Sequence, residues 1–199
     1  MDSQQARHAR VPIALSQIRA LEQAALTADS RVQSSTAHDQ IGHVLTSNML
    51  ATFAIELGLK AFYLSFSEGK PPSTHWLAAL YRGLPARIRG DIAATYASDL
   101  PDLPVVMFAL KASPVRPTIP DRASGGGYGD ADAFFESTSK AFIAARYFFE
   151  QVDGADWSVI DHPIDYMLRM SDVLRIVYEE YAKRGGFGDD HFRTISAAT

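Results

Sequence analysis

Along most of the chain the apolar positions recur three and four apart, the spacing that lines one face of an α-helix, and no stretch alternates as a half-buried strand does. The pattern predicts an all-α protein. A first helix is expected from about Pro12 to Ala28, with Pro12 in its first turn and Ile13, Ile18, Leu21, Ala25 and Leu26 facing a core. A longer one occupies about Ala37 to Phe66, with Ile41, Leu45, Met49, Phe53, Leu57 and Leu64 as its inward stripe. Gly69, Pro71 and Pro72 end it. The hydroxyl of Ser73 or Thr74 suits the N-cap of a short helix through Leu84. Pro85 opens another to about Ser98. Pro101 to Leu110 reads as a short buried helix, an isolated extended piece being the alternative. Two aromatic-rich helices close the pattern, about Ala131 to Val152 and about Pro163 to Arg184.

Ahead of these two, residues 113–130 carry Pro114, Pro117, Pro120 and four glycines in Gly125-Gly126-Gly127-Tyr128-Gly129. That composition predicts an irregular connection. It is not a phosphate loop, because no strand precedes it and no Gly-Lys-Ser/Thr comes after it. Residues 185–199 are expected to fray. The 199 residues then form a single domain, a bundle core over about 12–184.

Composition narrows the chemistry. With no cysteine there is no disulfide, no cysteine zinc site and no thiol nucleophile, and a reducing, cytoplasmic setting is permitted. No apolar run approaches the roughly 18 residues of a membrane-crossing helix, and the N-terminus is polar, so neither export nor insertion is expected. The net charge of −4 argues against a broad nucleic-acid binder. It conceals an asymmetry. Residues 1–130 hold 12 basic and 11 acidic side chains, residues 131–199 hold 7 and 12. Within 60–90 there are five basic residues (Lys60, Lys70, Arg82, Arg87, Arg89) against Glu68 alone, a patch able to meet a phosphate locally.

Glu56 and Lys60 stand four apart with the carboxylate on the N-terminal side, the favourable order for a helical ion pair, in an otherwise uncharged stretch. A structural pair is one reading and a cleft-lining pair the other. Arg146 and Glu150 repeat the spacing in reverse, with the Arg146 stem in the stripe of Phe135, Phe142 and Phe149 and its guanidinium seeking a carboxylate or phosphate. His75 opens the short helix, as a cap, a base or a ligand. His38 and His43 are five apart, off the four-residue spacing that puts two ligands on one helix face, so no metal site is expected, nor any cofactor. His162, before Pro163, reads as a helix-start residue, and His191 lies in the tail.

The run from Phe53 through Glu56 and Lys60 to Leu64, the Pro-rich loop, and then Ser73-Thr74-His75-Trp76-Leu77 through Leu84-Pro85 resembles the HEPN-type helical domain. The segment Ala141-Phe142 through Arg146-Tyr147 to Glu150 is similar to a helix of some bacterial members. The resemblance implies an up-and-down bundle, frequently a homodimer, in bacterial proteins tied to RNA, nucleotides or defence and toxin–antitoxin systems. Nuclease members carry an Arg, then four to six residues and a His, at a dimer cleft. Here Arg146 fits the Arg, but Gln151, Val152 and Asp153 stand where the His would fall. The chain is accordingly expected to be a non-catalytic or degenerate member that binds a protein partner or a phosphate-bearing nucleotide or RNA, using Glu56, Lys60, Arg146 and Glu150. The alternatives are a metal-independent ribonuclease using Arg146 with His75, and a structural oligomerisation module in which the surplus aromatics, Phe134, Phe135, Phe142, Phe148, Phe149, Tyr166, Tyr178 and Tyr181, form a dimer interface.

Overall fold

The structure, a computed structural model, describes residues 3–66, 71–98, 106–111, 128–139 and 157–184. They form an all-α bundle to which one short ladder of two strands is added. The helices are α1 (Ser3–Asp29), α2 (Ala37–Phe66), α3 (Leu77–Arg82), α4 (Ala86–Ala97), α5 (Ala131–Thr138) and α6 (Ile164–Lys183), with β1 (Val106–Lys111) and β2 (Trp157–His162) between them in the chain.

Side-chain pairs fix the directions of the three long helices. Arg19 meets Glu179, Glu22 meets Ser171 and Asp29 meets His162, so α1 runs antiparallel to α6. His162 also meets Asn48, Gly58 lies against Leu174, and Ser65 bonds Tyr178, so α2 runs parallel to α6. Helix α3 packs on α2 and α4 on α6, and α5 packs on α3 and α4.

Helix α2 has the expected bounds, but its buried face is displaced from the expected stripe. Val44, Ala51, Ile55, Leu59 and Phe62 are buried, whereas Ile41, Leu45, Met49, Leu57 and Leu64 are half-buried and Phe53 is 39% exposed. Residue size decides this. Ala51, Ala54, Gly58 and Ala61 allow neighbouring backbones to come close, and a Cβ on Gly58 would lie 3.1 Å from Leu174 Cδ1 and 3.2 Å from its Cβ. In α1, Ile18 and Ala25 are buried and Leu21 is half-buried, while Ile13 and Leu26, both expected inward, face solvent. That helix starts at Ser3, and Pro12 lies inside it rather than in its first turn. The preceding residues include Gln4, Gln5, Ala6 and Arg7, good helix formers that carry no apolar signal.

The segment read as a helix over 101–110 is instead strand β1 from Val106, paired antiparallel with β2 from Val106↔His162 to Lys111↔Trp157. The β-branched and aromatic partner residues lie far along the chain, so a local window reads only an apolar run. Helix α5 begins where expected, with the Asp130 carboxylate accepting the Ala133 N–H at 2.7 Å. The remainder of the expected helix to Val152 falls outside the described residues, as does most of the Pro/Gly connection and the tail. Helix α3 is shorter than expected. Thr74 Oγ1 does accept a backbone N–H, that of Trp76 at 3.1 Å, but ahead of the helix, whose N-cap is Trp76.

Aromatic rings knit the second half of the bundle together. Tyr81 stacks on Phe135 with centroids 4.3 Å apart, Tyr128 on Tyr166 at 5.1 Å, and Phe62 meets Tyr178 edge-on at 5.2 Å. Phe134, Phe135, Tyr166 and Tyr178 are buried within the chain. Phe142, Phe148 and Phe149 lie outside the described residues.

Candidate functional site

On α2, Glu56 and Lys60 are one turn apart, and the spacing does what i,i+4 geometry allows: Lys60 Nζ donates to Glu56 Oε1 at 2.6 Å. Across from them, residues 71–76 carry the chain from α2 to α3. Helix α3 is seated by Leu77 and Leu80, both fully buried, and by Tyr63 Oη, which donates to the Leu80 carbonyl at 2.7 Å. With α3 clamped to α2 on one side, His75 just ahead of it comes down on Glu56. Its Nδ1 lies 3.0 Å from Oε1 and 3.2 Å from Oε2. A carboxylate only accepts, so Nδ1 carries the proton and Nε2 is the ring's basic position when the imidazole is neutral.

Exposure divides the labour within this cluster. The Glu56 side chain is 2% exposed, Lys60 18% and His75 55%. The carboxylate is thus the buried base of the cluster, and two basic side chains from different segments converge on one of its oxygens. Charge-assisted hydrogen bonds of this kind hold geometry more firmly than neutral ones. Two of the four large apolar side chains exposed among the described residues flank the cluster in sequence: Phe53 one turn before Glu56, and Trp76, 52% exposed, immediately after His75.

The basic patch over 60–90 does not gather at this point. Arg82 pairs with Glu136 of α5, the Arg87 guanidinium lies 5.9 Å over the Tyr181 ring, and Lys70 is outside the described residues. Arg146 and Glu150, with Gln151, Val152 and Asp153, are also outside them. Of the candidates named from sequence, Glu56, Lys60 and His75 are therefore the ones brought together. Among the described residues no group of three or more His, Asp or Glu could hold a metal ion, and no helix is long and apolar enough to cross a membrane.

Two further polar clusters join residues that the sequence reading did not bring together. The first centres on His162, which ends β2 and immediately precedes the N-cap Pro163 of α6, with a side chain 4% exposed. Its Nε2 donates to Asp29 Oδ1 at 2.7 Å and its Nδ1 meets the Asn48 amide at 2.7 Å. A hint lay in Asn48, a polar residue within an apolar helix. The second joins α1 to α6: Ser171 Oγ donates to Glu22 Oε1 at 2.7 Å, beside Arg175, which pairs with Asp172 and with Glu179 at 3.1 Å. Burial pushes the Glu22 carboxyl above its ordinary range, against the pull of the Ser171 hydrogen bond and of Arg175. These clusters tie long helices to each other. No family model, curated protein or solved structure matches the chain, so a functional reading rests on its own residues.

Proposed function

We propose that the chain is an HEPN-like helical domain that acts by binding a phosphate-bearing ligand, a nucleotide or RNA, at the Glu56–Lys60–His75 cluster. The observation that carries this reading is the placement of Lys60 Nζ and His75 Nδ1 on the same buried oxygen, at 2.6 and 3.0 Å. Two nitrogen-bearing side chains so closely held, one of them half out in solvent, suit an anion with several acceptor oxygens. Glu56 then orients its neighbours instead of touching the ligand, and Arg146 is the further countercharge that the family resemblance implies. The reading is of binding without cleavage because Gln151, Val152 and Asp153 stand where the resemblance to nuclease members would place a His.

The test is direct. Purified protein titrated with labelled single-stranded RNA and with a mononucleotide binds at least one of them saturably, weakens markedly on His75→Ala and Arg146→Ala, and leaves the RNA intact. Absence of binding to either probe overturns the reading. Cleaved RNA favours the ribonuclease alternative, for which the Glu56-oriented His75 ring is suited as an acid or base, and cleavage must then be lost in both variants.

A further inference from the structure

We infer that Trp76 is a stacking platform for an unpaired base, so that the ligand of the site is a planar ring carrying a phosphate; this rests on the binding reading above. Four large apolar side chains are exposed among the described residues, Ile13, Leu26, Phe53 and Trp76. The first two are on α1, away in sequence from any candidate chemistry. The two aromatic ones bracket the polar cluster, Phe53 three residues before Glu56 and Trp76 next to His75. A solitary exposed apolar residue needs no explanation, but an exposed indole in the residue after a carboxylate-held imidazole brings together, within two residues, the two contacts that unpaired nucleotides use, a π-face and a nitrogen able to meet a phosphate.

The local structure presents the indole firmly. The Trp76 N–H is held by Thr74 Oγ1 at 3.1 Å, and Trp76 O accepts the Leu80 N–H at 3.0 Å as α3 begins. Leu77 and Ala78 turn inward directly afterwards and anchor the backbone, while the indole stays 52% exposed. A ring on a braced backbone has few torsions left to freeze when a ligand arrives. Immediately before it stands His75, whose imidazole is held by Glu56 beside Lys60. A base seated on the indole would bring its sugar-phosphate toward the residue just before it, His75, whose ring shares a Glu56 oxygen with Lys60. An uncharged aromatic ligand gains nothing from Lys60 and His75, and a bare phosphate gains nothing from the indole.

The experiment compares adenosine 5′-monophosphate, ribose 5-phosphate and a short single-stranded oligoadenylate on wild type, Trp76→Ala and Trp76→Phe, with far-ultraviolet circular dichroism confirming the fold. Stacking of about 1–3 kcal/mol per base corresponds to a roughly 5- to 150-fold loss on truncation to alanine. The expected result is a loss of at least about tenfold for the base-bearing probes in Trp76→Ala, recovered largely in Trp76→Phe, with ribose 5-phosphate unchanged. Quenching of indole fluorescence by the base-bearing probes disappears in both variants. Binding of the monophosphate identifies a free nucleotide as sufficient, and binding of the oligoadenylate alone identifies an RNA strand. If Trp76→Ala binds all three probes as wild type does, the platform is refuted while the phosphate site stands. If wild type binds none of them, both fail.

Discussion

Removing the charge of Glu56 tests whether the cluster is held as described. Glu56→Gln keeps the shape of the side chain but replaces the charged oxygen that Lys60 and His75 share with a neutral amide oxygen, and turns the second oxygen, 3.2 Å from His75 Nδ1, into an NH₂ that cannot accept. Lys60 has little solvent to retreat into at 18% exposure, whereas His75 at 55% can rehydrate. Breaking a fully buried pair costs about 3–5 kcal/mol, and a single charged hydrogen bond contributes about 1.5–3 kcal/mol. One partly buried cation stranded and one exposed donor released place the expected loss between these, at about 2–3 kcal/mol. With a urea slope of about 2 kcal/mol per M, the midpoint of urea unfolding falls by roughly 1 M. Lys60→Met completes a double-mutant cycle: the pair is coupled, so the double variant loses at least about 0.5 kcal/mol less than the two singles together. A Glu56→Gln midpoint within about 0.2 M of wild type, or strict additivity with Lys60→Met, would refute the account of Glu56 as the anchor of the cluster.

Two other perturbations probe the frame around the site. Gly58→Val places a branched side chain where even a Cβ lies 3.1 Å from Leu174, so overpacking of about 1–3 kcal/mol outweighs the gain of a few tenths in helix propensity. Urea unfolding of this variant should show a net loss of about 2 kcal/mol, and an unchanged midpoint would contradict the close approach of α2 and α6. Tyr181 is half-buried and donates to Asp91 Oδ2 at 2.7 Å, and these two effects push its phenol up to about 12. The folded chain then keeps a proton that the unfolded chain releases from about pH 10, and stability falls as pH rises through that window. Thermal melts at about pH 9 and about pH 11.5 should show a smaller alkaline loss for Tyr181→Phe than for wild type, and equal losses would sink the argument.

Much of the bundle was legible because helices are local. The 3.6-residue period and the Gly and Pro residues that punctuate it place α2, α4, α6 and the start of α5 without reference to anything distant. What depended on distant partners was not legible. The strand pairing of 106–111 with 157–162 has its cause in a segment tens of residues away, and hydropathy misjudged the buried face of α2 because packing there is governed by small residues. The site divides in the same way. The Glu56–Lys60 pair is written in i,i+4 spacing. The arrival of His75 is not, since it crosses the turn at Pro71 and Pro72 and depends on how Leu77, Leu80 and Tyr63 seat α3.

His162 has a consequence for which packings the bundle accepts. Its ring reaches the end of α1 through Asp29 and the middle of α2 through Asn48 from the residue that precedes the first turn of α6. Apolar faces tolerate sliding, because one leucine seats nearly as well in the next gap as in its own. A polar contact does not: shifting α2 by one turn, about 5.4 Å, carries Asn48 out of reach and strands a buried imidazole. The three helices thus share a single index mark, like the pin that aligns the plates of a lock. A sequence that lost it would keep enough greasy surface to collapse and would reject misaligned collapses only pairwise, through Ser65 with Tyr178 and Glu22 with Ser171.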